Sequence, residues 1–315
     1  MALKPEIQRL LEMVYRVGAP RFHELSVEQA RHSFEKLVYA FRPVVPAVAS
    51  TLEVPIPRGD GSVLLARYYR PLDSGTGRVL PLLVFLHGGG WCVGDVASYD
   101  VLCRQLANTS GCAIMSVDYR LAPENPFPAG LEDALIAYRW ALENADSILV
   151  DAERIAVGGD SAGGNLSIVL ALSAAEKGLP PPRHLLLVYP CTELISSRPS
   201  RERFADGYFL DRESLQWFFS RYLGDASPDD WRLSPMRATS LGALPDISML
   251  TAEYDPLTDD CLAFADRART EGCRVRCLNV SGVVHGFLTL GKLIPESNDA
   301  VLWLGRALAD SLSRD

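Results

Sequence analysis

The sequence has no excess of basic charge and no long apolar run. Its 31 Lys and Arg residues are outnumbered by 39 Asp and Glu residues, which gives a net charge of -8 at pH 7. Nucleic acids and anionic membrane surfaces are bound by clustered basic residues, so this composition argues against both partners. No segment reaches the length of a membrane span, and the stretch from Met1 to Leu11 lacks the features of a secretory signal. We therefore expect a cytoplasmic protein.

The sequence also lacks cysteine patterns that indicate disulfides or a metal site. The cysteines are odd in number, form no C-x-x-C pair and lie at Cys92, Cys103, Cys112, Cys191, Cys261, Cys273 and Cys277. A disulfide framework normally has an even number of cysteines, and a structural zinc site needs closely spaced ligands. No other group of His, Cys and acidic residues has ligand spacing, so we expect no metal ion. A reducing, cytoplasmic setting fits this pattern.

Short β-branched runs alternate with longer helix-like segments from about Thr51 to Val280. This alternation predicts an α/β fold in which helices cover both faces of a mostly parallel sheet. A turn at Gly59 to Gly61 joins the first two runs, so we expect an antiparallel hairpin at one edge. The eight predicted strands are Thr51–Ile56, Val63–Tyr69, Leu82–Leu86, Ala113–Val117, Arg154–Val157, Leu185–Tyr189, Ile247–Thr251 and Val275–Val280.

Two stretches of the chain interrupt the alternation. Residues 1–45 are helical and amphipathic, and residues 192–223 contain an arginine-rich loop followed by an aromatic segment. Ligands bind at the carboxyl ends of the strands in open α/β sheets. We therefore interpret both stretches as a cap over that edge, and residues 46–191 and 224–315 as the catalytic domain. The aromatic side chains either roof a pocket or anchor the insertion. Candidates for substrate contact are Trp91, Tyr189, Tyr208, Phe209 and Trp217.

A serine lies between a predicted strand and a predicted helix. The motif Gly159-Asp160-Ser161-Ala162-Gly163 follows the run Arg154–Val157, and the helix-like stretch begins at Asn165. A serine is a good nucleophile only when a base takes its proton, so its hydroxyl must stand clear of its neighbours. A sharp strand-to-helix turn achieves this, and glycines two residues either side allow the close backbone approach. Ser161 is therefore the predicted nucleophile.

A run of three glycines follows the predicted strand Leu82–Leu86. In His87-Gly88-Gly89-Gly90-Trp91, the backbone N–H groups are not shielded by side chains. Acyl transfer needs two or three such donors around the developing oxyanion, and the N–H of Ala162 would complete the set. A phosphate cradle is the alternative interpretation, but neither G-K-[ST] nor G-x-G-x-x-G follows. Gly88, Gly89, Gly90 and Ala162 are the predicted oxyanion donors.

A histidine and an aspartate after later strands complete a predicted triad. His285 follows the last predicted strand and is the candidate general base, whereas the other histidines have structural interpretations. Asp255 follows the preceding strand, where its carboxylate can orient the imidazole through Nδ1. Three other acidic residues compete with Asp255, namely Glu253, Asp259 and Asp260; we expect the last two to face outward in the first turn of a helix.

The chain resembles the hormone-sensitive-lipase-like branch of the α/β-hydrolase superfamily, which includes bacterial carboxylesterases and arylacetamide-deacetylase-like enzymes. The resemblance spans nearly the whole chain. It rests on five motifs in the family's order: His87–Trp91, Asp118–Glu124, Gly159–Asn165, Asp255–Leu257 and His285–Phe287. The resemblance implies an α/β-hydrolase fold, a triad of Ser161, Asp255 and His285, and an oxyanion hole from Gly89, Gly90 and Ala162 with Gly88 adjacent. The aspartate before the serine implies the GDSAG subgroup.

The expected activity is hydrolysis of short- to medium-chain carboxylic esters through an acyl-enzyme intermediate, with a small-molecule ester as the partner. This chemistry needs no organic cofactor. An amidase or deacetylase with the same machinery is one alternative. The second is a non-catalytic receptor, because the gibberellin receptor resembles this family, but there the triad histidine is lost and here His285 is present. The sequence leaves the oligomeric state open, with a homodimer as one arrangement.

Overall fold

An eight-stranded sheet forms the centre of the computed structural model, which describes residues 2–313. The strands are β1 Ser50–Pro57, β2 Val63–Arg70, β3 Leu80–Leu86, β4 Ala113–Val117, β5 Val150–Asp160, β6 Leu185–Val188, β7 Ile247–Tyr254 and β8 Val275–Val284. Every predicted strand is present. β5 is longer than predicted at both ends, and β8 continues to Val284, directly before His285. The predicted α/β fold is confirmed.

The sheet is parallel except at one edge. Its strand order is β1-β2-β4-β3-β5-β6-β7-β8. β1 and β2 form the predicted antiparallel hairpin, with Ser50 opposite Arg70, and β2 also pairs antiparallel with β4. The remaining strand pairs are parallel. Every residue of β4 and of β6 is buried, as expected for central strands with helices on both faces.

The sheet separates the apolar core into two clusters, and helices cover each of them. The helices are α1 Pro5–Arg16, α2 Val27–Phe41, α3 Asp100–Ser110, α4 Ala129–Glu143, α5 Ala162–Ser173, α6 Pro199–Arg203, α7 Arg212–Leu223, α8 Thr258–Thr270 and α9 Pro295–Ser311. α4, α5 and α8 pack on one face of the sheet. α3 and α9 pack on the other, together with the first turns of α1. Within residues 2–313, each helix is too short or too polar to cross a bilayer.

The N-terminal helices are attached to the sheet by buried contacts. Ile7 and Leu10 of α1 are almost fully buried in the same cluster as the end of β8. The Lys4 amide donates to the carbonyl oxygen of Gly282 in β8 at 2.9 Å. α2 begins at an N-cap serine, Ser26, whose side chain accepts a hydrogen bond from the Gln29 amide. The buried side chains of Ile7 and Leu10 and the Lys4 hydrogen bond hold α1 near the carboxyl end of β8.

The segment after β6 is fixed to α8 by a buried ion-pair cluster. Asp260 is fully buried and accepts from Arg198 at 3.1 Å and from Arg201 at 2.7 Å. Asp259 accepts from the Ser200 amide at 2.8 Å. The expectation that Asp259 and Asp260 face outward is therefore wrong. Asp260 binds α6 and the loop before it, because a desolvated carboxylate needs such donors, and the partly exposed Asp259 binds the start of α6.

All seven cysteines are free, and six of them are buried. Burial raises the pKa of every one of these thiols. The pKa is raised to about 11 for Cys112 and to about 12 for Cys92 and Cys191. The low-dielectric surroundings disfavour the thiolate, which is the reactive form of cysteine. These side chains therefore behave as small apolar groups in the core.

Candidate active site

Ser161 lies in a sharp turn between β5 and α5. Its backbone has φ of 52° and ψ of -113°, a conformation that non-glycine residues rarely adopt. The Ser161 amide donates to the carbonyl oxygen of Val188 in β6 at 2.9 Å. A Cβ atom at Gly159 or at Gly163 would overlap the carbonyl oxygen of Leu86 in β3. Glycine is needed at both positions because the turn brings the backbones of β3, β5 and α5 into contact.

Ser161, His285 and Asp255 form a continuous hydrogen-bonded chain. The Ser161 Oγ atom lies 2.9 Å from His285 Nε2, and His285 Nδ1 lies 2.7 Å from Asp255 Oδ2. Asp255 is fully buried, and its Oδ1 accepts from the Leu257 amide at 2.8 Å. When Nδ1 donates to the carboxylate, Nε2 is left to accept the serine proton. The arrangement has the geometry of a nucleophile, a base and an orienting acid.

The competing carboxylates lie elsewhere. Glu253 Oε2 accepts a hydrogen bond from the Gly282 amide at 2.8 Å. Asp259 and Asp260 bind the α6 segment. The structure therefore brings Asp255, and none of these three, to His285. The distinction follows from position, because Asp255 is the first residue after β7 and the neighbouring β8 leads directly to the histidine loop.

The predicted oxyanion donors fall into two groups. Gly89 and Gly90 line the cavity beside Ser161, and their N–H groups have no acceptor among residues 2–313. Ala162 is the first residue of α5, where the N–H has no helical acceptor and the helix dipole favours negative charge. Gly88 is different, because its amide donates to Asp160 Oδ1 at 2.7 Å. The expectation that Gly88 supplies an oxyanion donor is therefore wrong.

The side chain of Asp160 connects the serine turn to the glycine loop. It accepts from the Gly88 amide and, at 2.9 Å, from the Tyr99 hydroxyl. Burial raises the pKa of Asp160 to about 6, while these two donors act in the opposite direction. A Cβ atom at Gly88 would overlap the Asp160 carboxylate, so glycine is required there for space. Sequence reasoning missed this contact.

His87 orders the start of the glycine loop. Its Nδ1 donates to the Gly88 carbonyl oxygen at 2.7 Å, and its ring stacks on Tyr119 with centroids 4.4 Å apart. The Tyr119 hydroxyl donates to the His87 carbonyl oxygen at 2.7 Å. Burial lowers the pKa of His87 to about 4, which keeps the imidazole neutral at pH 7. Its role in the fold is structural.

A small apolar cavity of about 80 Å³ adjoins Ser161. The glycine loop and His285 form its inner end. Side chains from α2, from the segment before α2 and from α7 and its preceding loop enclose the rest, and they include Phe22, Phe34, Leu37, Phe209, Leu215, Phe218 and Phe219. Phe218 lies directly over Gly90, where a Cβ atom would overlap the phenyl ring. The cavity therefore has a polar reacting end and an apolar body.

Comparison with known proteins identifies the family. A profile described as alpha/beta hydrolase fold matches residues 83–289. The chain is 36% identical over 323 residues to the ethyl acetate hydrolase of Pseudomonas putida, covering 99% of this chain and 100% of that protein. It is 40% identical over 279 residues to the carboxylic ester hydrolase LipN of Mycobacterium tuberculosis, covering 86% and 73%. The chain belongs to the α/β-hydrolase family.

Solved structures support the same identification. The ester-hydrolase EH1AB1 from the metagenome of Lake Arreo is 37% identical and superposes with a TM-score of 0.93 over 98% of both chains. A thermostable esterase from Pseudomonas putida ECU1011 is 31% identical, with a TM-score of 0.94 over 100% of this chain and 99% of that one. The protein is a hormone-sensitive-lipase-like α/β hydrolase that hydrolyses esters.

Two of the five predicted substrate contacts line the cavity of this hydrolase, namely Trp91 and Phe209. The other three lie outside it. Tyr189 is fully buried and packs under the His285 ring, with centroids 4.6 Å apart. Tyr208 packs between Phe204 and Tyr254, and Trp217 packs edge-on against Phe218 and under the Arg221 guanidinium. Their aromatic rings fill the space behind the cavity wall.

Arg31 of α2 joins the N-terminal helices to the loops around the site. Its guanidinium donates to the Cys92 carbonyl oxygen at 2.9 Å and to the Ala122 carbonyl oxygen at 3.1 Å, and it forms a bidentate pair with Glu124 at 2.9 and 2.6 Å. One side chain therefore holds both the glycine loop and the Asp118–Glu124 loop of the hydrolase. Sequence reasoning missed Arg31, because a helical arginine has no motif that reveals its partners.

Proposed function

We propose that this hydrolase, of the GDSAG subgroup, cleaves short- to medium-chain carboxylic esters through a serine acyl-enzyme. The observation that carries the proposal is the hydrogen-bonded chain from Ser161 through His285 to Asp255, with contacts of 2.9 and 2.7 Å. Ser161 Oγ attacks the ester carbonyl carbon while His285 Nε2 takes its proton. The imidazolium then gives that proton to the departing alkoxide, and Asp255 stabilises its charge.

The second half of the reaction repeats the first with water. His285 takes a proton from water, the hydroxide attacks the acyl carbonyl, and the proton returns to Ser161 as the acid leaves. In both halves the carbonyl oxygen becomes an oxyanion. We assign its stabilisation to the N–H groups of Gly89 and Gly90, which line the cavity, and of Ala162, which follows Ser161 at the start of α5.

The size and lining of the cavity support a short acyl chain. Its volume of about 80 Å³ is well below the roughly 300–1,000 Å³ of pockets that enclose larger ligands. The name of the related ethyl acetate hydrolase agrees with a two-carbon acyl group. We further propose that residues 1–45 and 192–223 act as the cap. Support comes from Phe22 and Phe218, one from each stretch, which line the cavity.

An ester panel with a nucleophile variant tests the proposal. Rates are measured for p-nitrophenyl esters with acyl chains of two to sixteen carbons and for matched anilides, with the wild type and Ser161→Ala. The expected kcat/KM is highest among the shorter esters and far lower for anilides. Ser161→Ala should lower kcat on the order of 10⁶-fold, and a phosphonate probe should label Ser161 alone. A rate maximum at the longest chains, or a folded Ser161→Ala protein with near wild-type turnover, contradicts the proposal.

A further inference from the structure

A second, larger cavity adjoins the active-site cavity. It has a volume of about 620 Å³ and lies between α1, the α1–α2 connection, α2 and the segment that leads into α7. Most of its exposed lining is apolar. Its lining includes Leu11, Val14, Tyr15, Ala19, Pro20 and Phe22. Charged groups are also present, among them Arg21 and Asp211, which lie 3.4 Å apart. This outer cavity can therefore accept an apolar chain.

A single layer of side chains separates the outer cavity from the active site. Phe22, Phe34, Leu37 and Phe209 line both cavities. They come from two different parts of the chain, the α1–α2 region and the loop before α7. No backbone segment needs to move for the two spaces to join, because aromatic and leucine side chains can change rotamer. The outer cavity is thus continuous with the cavity beside Ser161 once this layer opens.

Phe209 occupies the most unusual position in this layer. Its φ of 75° is rare for a bulky aromatic residue. The flanking residues form a tight turn in which the Leu210 amide donates to the Tyr208 carbonyl oxygen at 2.9 Å. Tyr208 is held in place by the rings of Phe204 and Tyr254, at 5.0 and 5.5 Å. Strained backbone of this kind persists where the surroundings impose it, and it concentrates at ligand-binding segments.

We propose that the outer cavity is a binding site for the alkyl chain of longer ester substrates, and that Phe209 is the side chain that admits it. The inference rests on the proposed function of the inner site. The inner cavity holds the reacting ester and a short group, and its volume leaves no room for a long chain. A longer chain displaces the Phe209 ring and enters the outer cavity, where the apolar lining removes its methylene groups from water.

Three variants test this assignment. Val14→Trp places an indole in the outer cavity, and Phe209→Gly removes one ring of the separating layer while accepting the positive φ. Val17→Trp is the matched control, because Val17 is on the same helix end, is 69% exposed and lines neither cavity. The measured quantity is the ratio of kcat/KM for decanoate to that for acetate. We expect Val14→Trp to lower this ratio at least tenfold, Phe209→Gly to raise it at least tenfold, and Val17→Trp to keep it within twofold.

The double variant and a second substrate series complete the test. Val14→Trp combined with Phe209→Gly should lose the gain of Phe209→Gly, because the opened wall then leads to a filled cavity. A second substrate series consists of acetates of longer alcohols and is measured beside the acyl series. It shows whether the acyl chain or the alcohol chain of the ester enters the outer cavity, because the change in the rate ratio is expected in one of the two series. If Val14→Trp and Phe209→Gly leave the ratio within twofold of wild type in both series, the assignment is wrong. Ser161→Ala tests the proposed chemistry separately. If Ser161→Ala is inactive and the cavity variants leave the decanoate-to-acetate ratio unchanged, only the assignment of the outer cavity is overturned.

Discussion

The carboxylate of Asp160 accepts a hydrogen bond from the Gly88 amide at 2.7 Å, so the residue before Ser161 holds the start of the glycine loop. Gly89 and Gly90 follow immediately, and both have positive φ, at 111° and 56°. Their N–H groups keep a fixed position relative to Ser161 only if the loop start is anchored. We infer that Asp160 is a positioning residue for the oxyanion hole.

Replacing Asp160 by Ala should lower kcat by about 10²-fold, the magnitude typical of a weakened oxyanion hole. KM should change by much less, because ground-state binding uses the apolar cavity. Asp160→Asn keeps an oxygen that can accept from the Gly88 amide, so it should recover most of the rate. Steady-state kinetics on the three proteins check this prediction. Equal losses in the Ala and Asn variants would show that charge or packing, and not this hydrogen bond, is what matters.

Replacing Asp255 by Asn should lower kcat on the order of 10⁴-fold with little change in fold, because an amide N–H facing Nδ1 favours the imidazole tautomer that carries its proton on Nε2 and cannot accept the serine proton. The control is Glu253→Gln, two residues earlier, whose carboxylate bonds to the Gly282 amide away from His285. That variant should keep kcat within a few-fold. The measurement is kcat for an acetyl ester with circular dichroism of each protein. A crippled Glu253→Gln enzyme beside an active Asp255→Asn enzyme would reverse the assignment of the acid.

Replacing Arg31 by Met should destabilise the fold by about 1–3 kcal/mol, because the carbonyl oxygens of Cys92 and Ala122 lose a charged donor. It should also reduce kcat, since both loops border the active site. Arg31→Lys should recover little, as an ammonium cannot reproduce the bidentate fork to Glu124. Urea unfolding checks the prediction, with the exposed Arg16→Met as the control. An unchanged free energy of unfolding in Arg31→Met would show that Arg31 does not stabilise the contact between α2 and the two loops.

We expect the buried His184 to make the folded protein less stable in acid. It is 2% exposed, and neither ring nitrogen has a partner among the described residues. Burial lowers the pKa of His184 to about 4. Between about pH 6.5 and that value, the unfolded chain binds a proton that the folded chain excludes. The stabilisation is therefore complete above about pH 6.5 and is lost as the pH falls towards 4.

The replacement His184→Gln removes this titrating group and tests whether it lowers the stability of the folded protein in acid. Between pH 7 and pH 4.5, the wild type should lose on the order of 2 kcal/mol more stability than the variant. Other buried groups, such as Asp160 with its raised pKa, are the same in both proteins and cancel in the difference. His32→Gln, at a side chain that is 62% exposed, is the control. An equal acid loss in wild type and His184→Gln would contradict the prediction.

The sequence predicted the sheet and the meeting of Ser161, Asp255 and His285 better than it predicted the side-chain directions around α7. Strands such as Ala113–Val117 are apolar along their whole length because both faces are buried, and that property is visible in the sequence. Ser161, Asp255 and His285 each follow a strand, so the topology alone places them at one edge. The direction of an individual side chain is not visible in the same way. Trp217 and Phe218 are adjacent on α7, yet only Phe218 faces the cavity.

The remaining errors share a physical cause. Gly88 and Gly89 are identical residues in one run, and only a contact with Asp160, 72 positions away, gives their amides different roles. Asp260 was expected in solvent because a carboxylate in the first turn of a helix is usually exposed. Its burial depends on two arginines, one just before the short helix α6 and one in it, and no periodicity in the sequence predicts the path of that segment. Long-range polar contacts of this kind are decided by the fold and not by local sequence.

The buried thiols make this hydrolase a convenient subject for site-specific conjugation. With the pKa of all seven thiols raised, a maleimide or iodoacetamide reagent at neutral pH meets almost no thiolate in the native protein. One cysteine added at an exposed position in the turn after α5, such as Lys177→Cys, would then be the only fast-reacting site. A fluorophore or a solid support could be attached there without first removing any native cysteine.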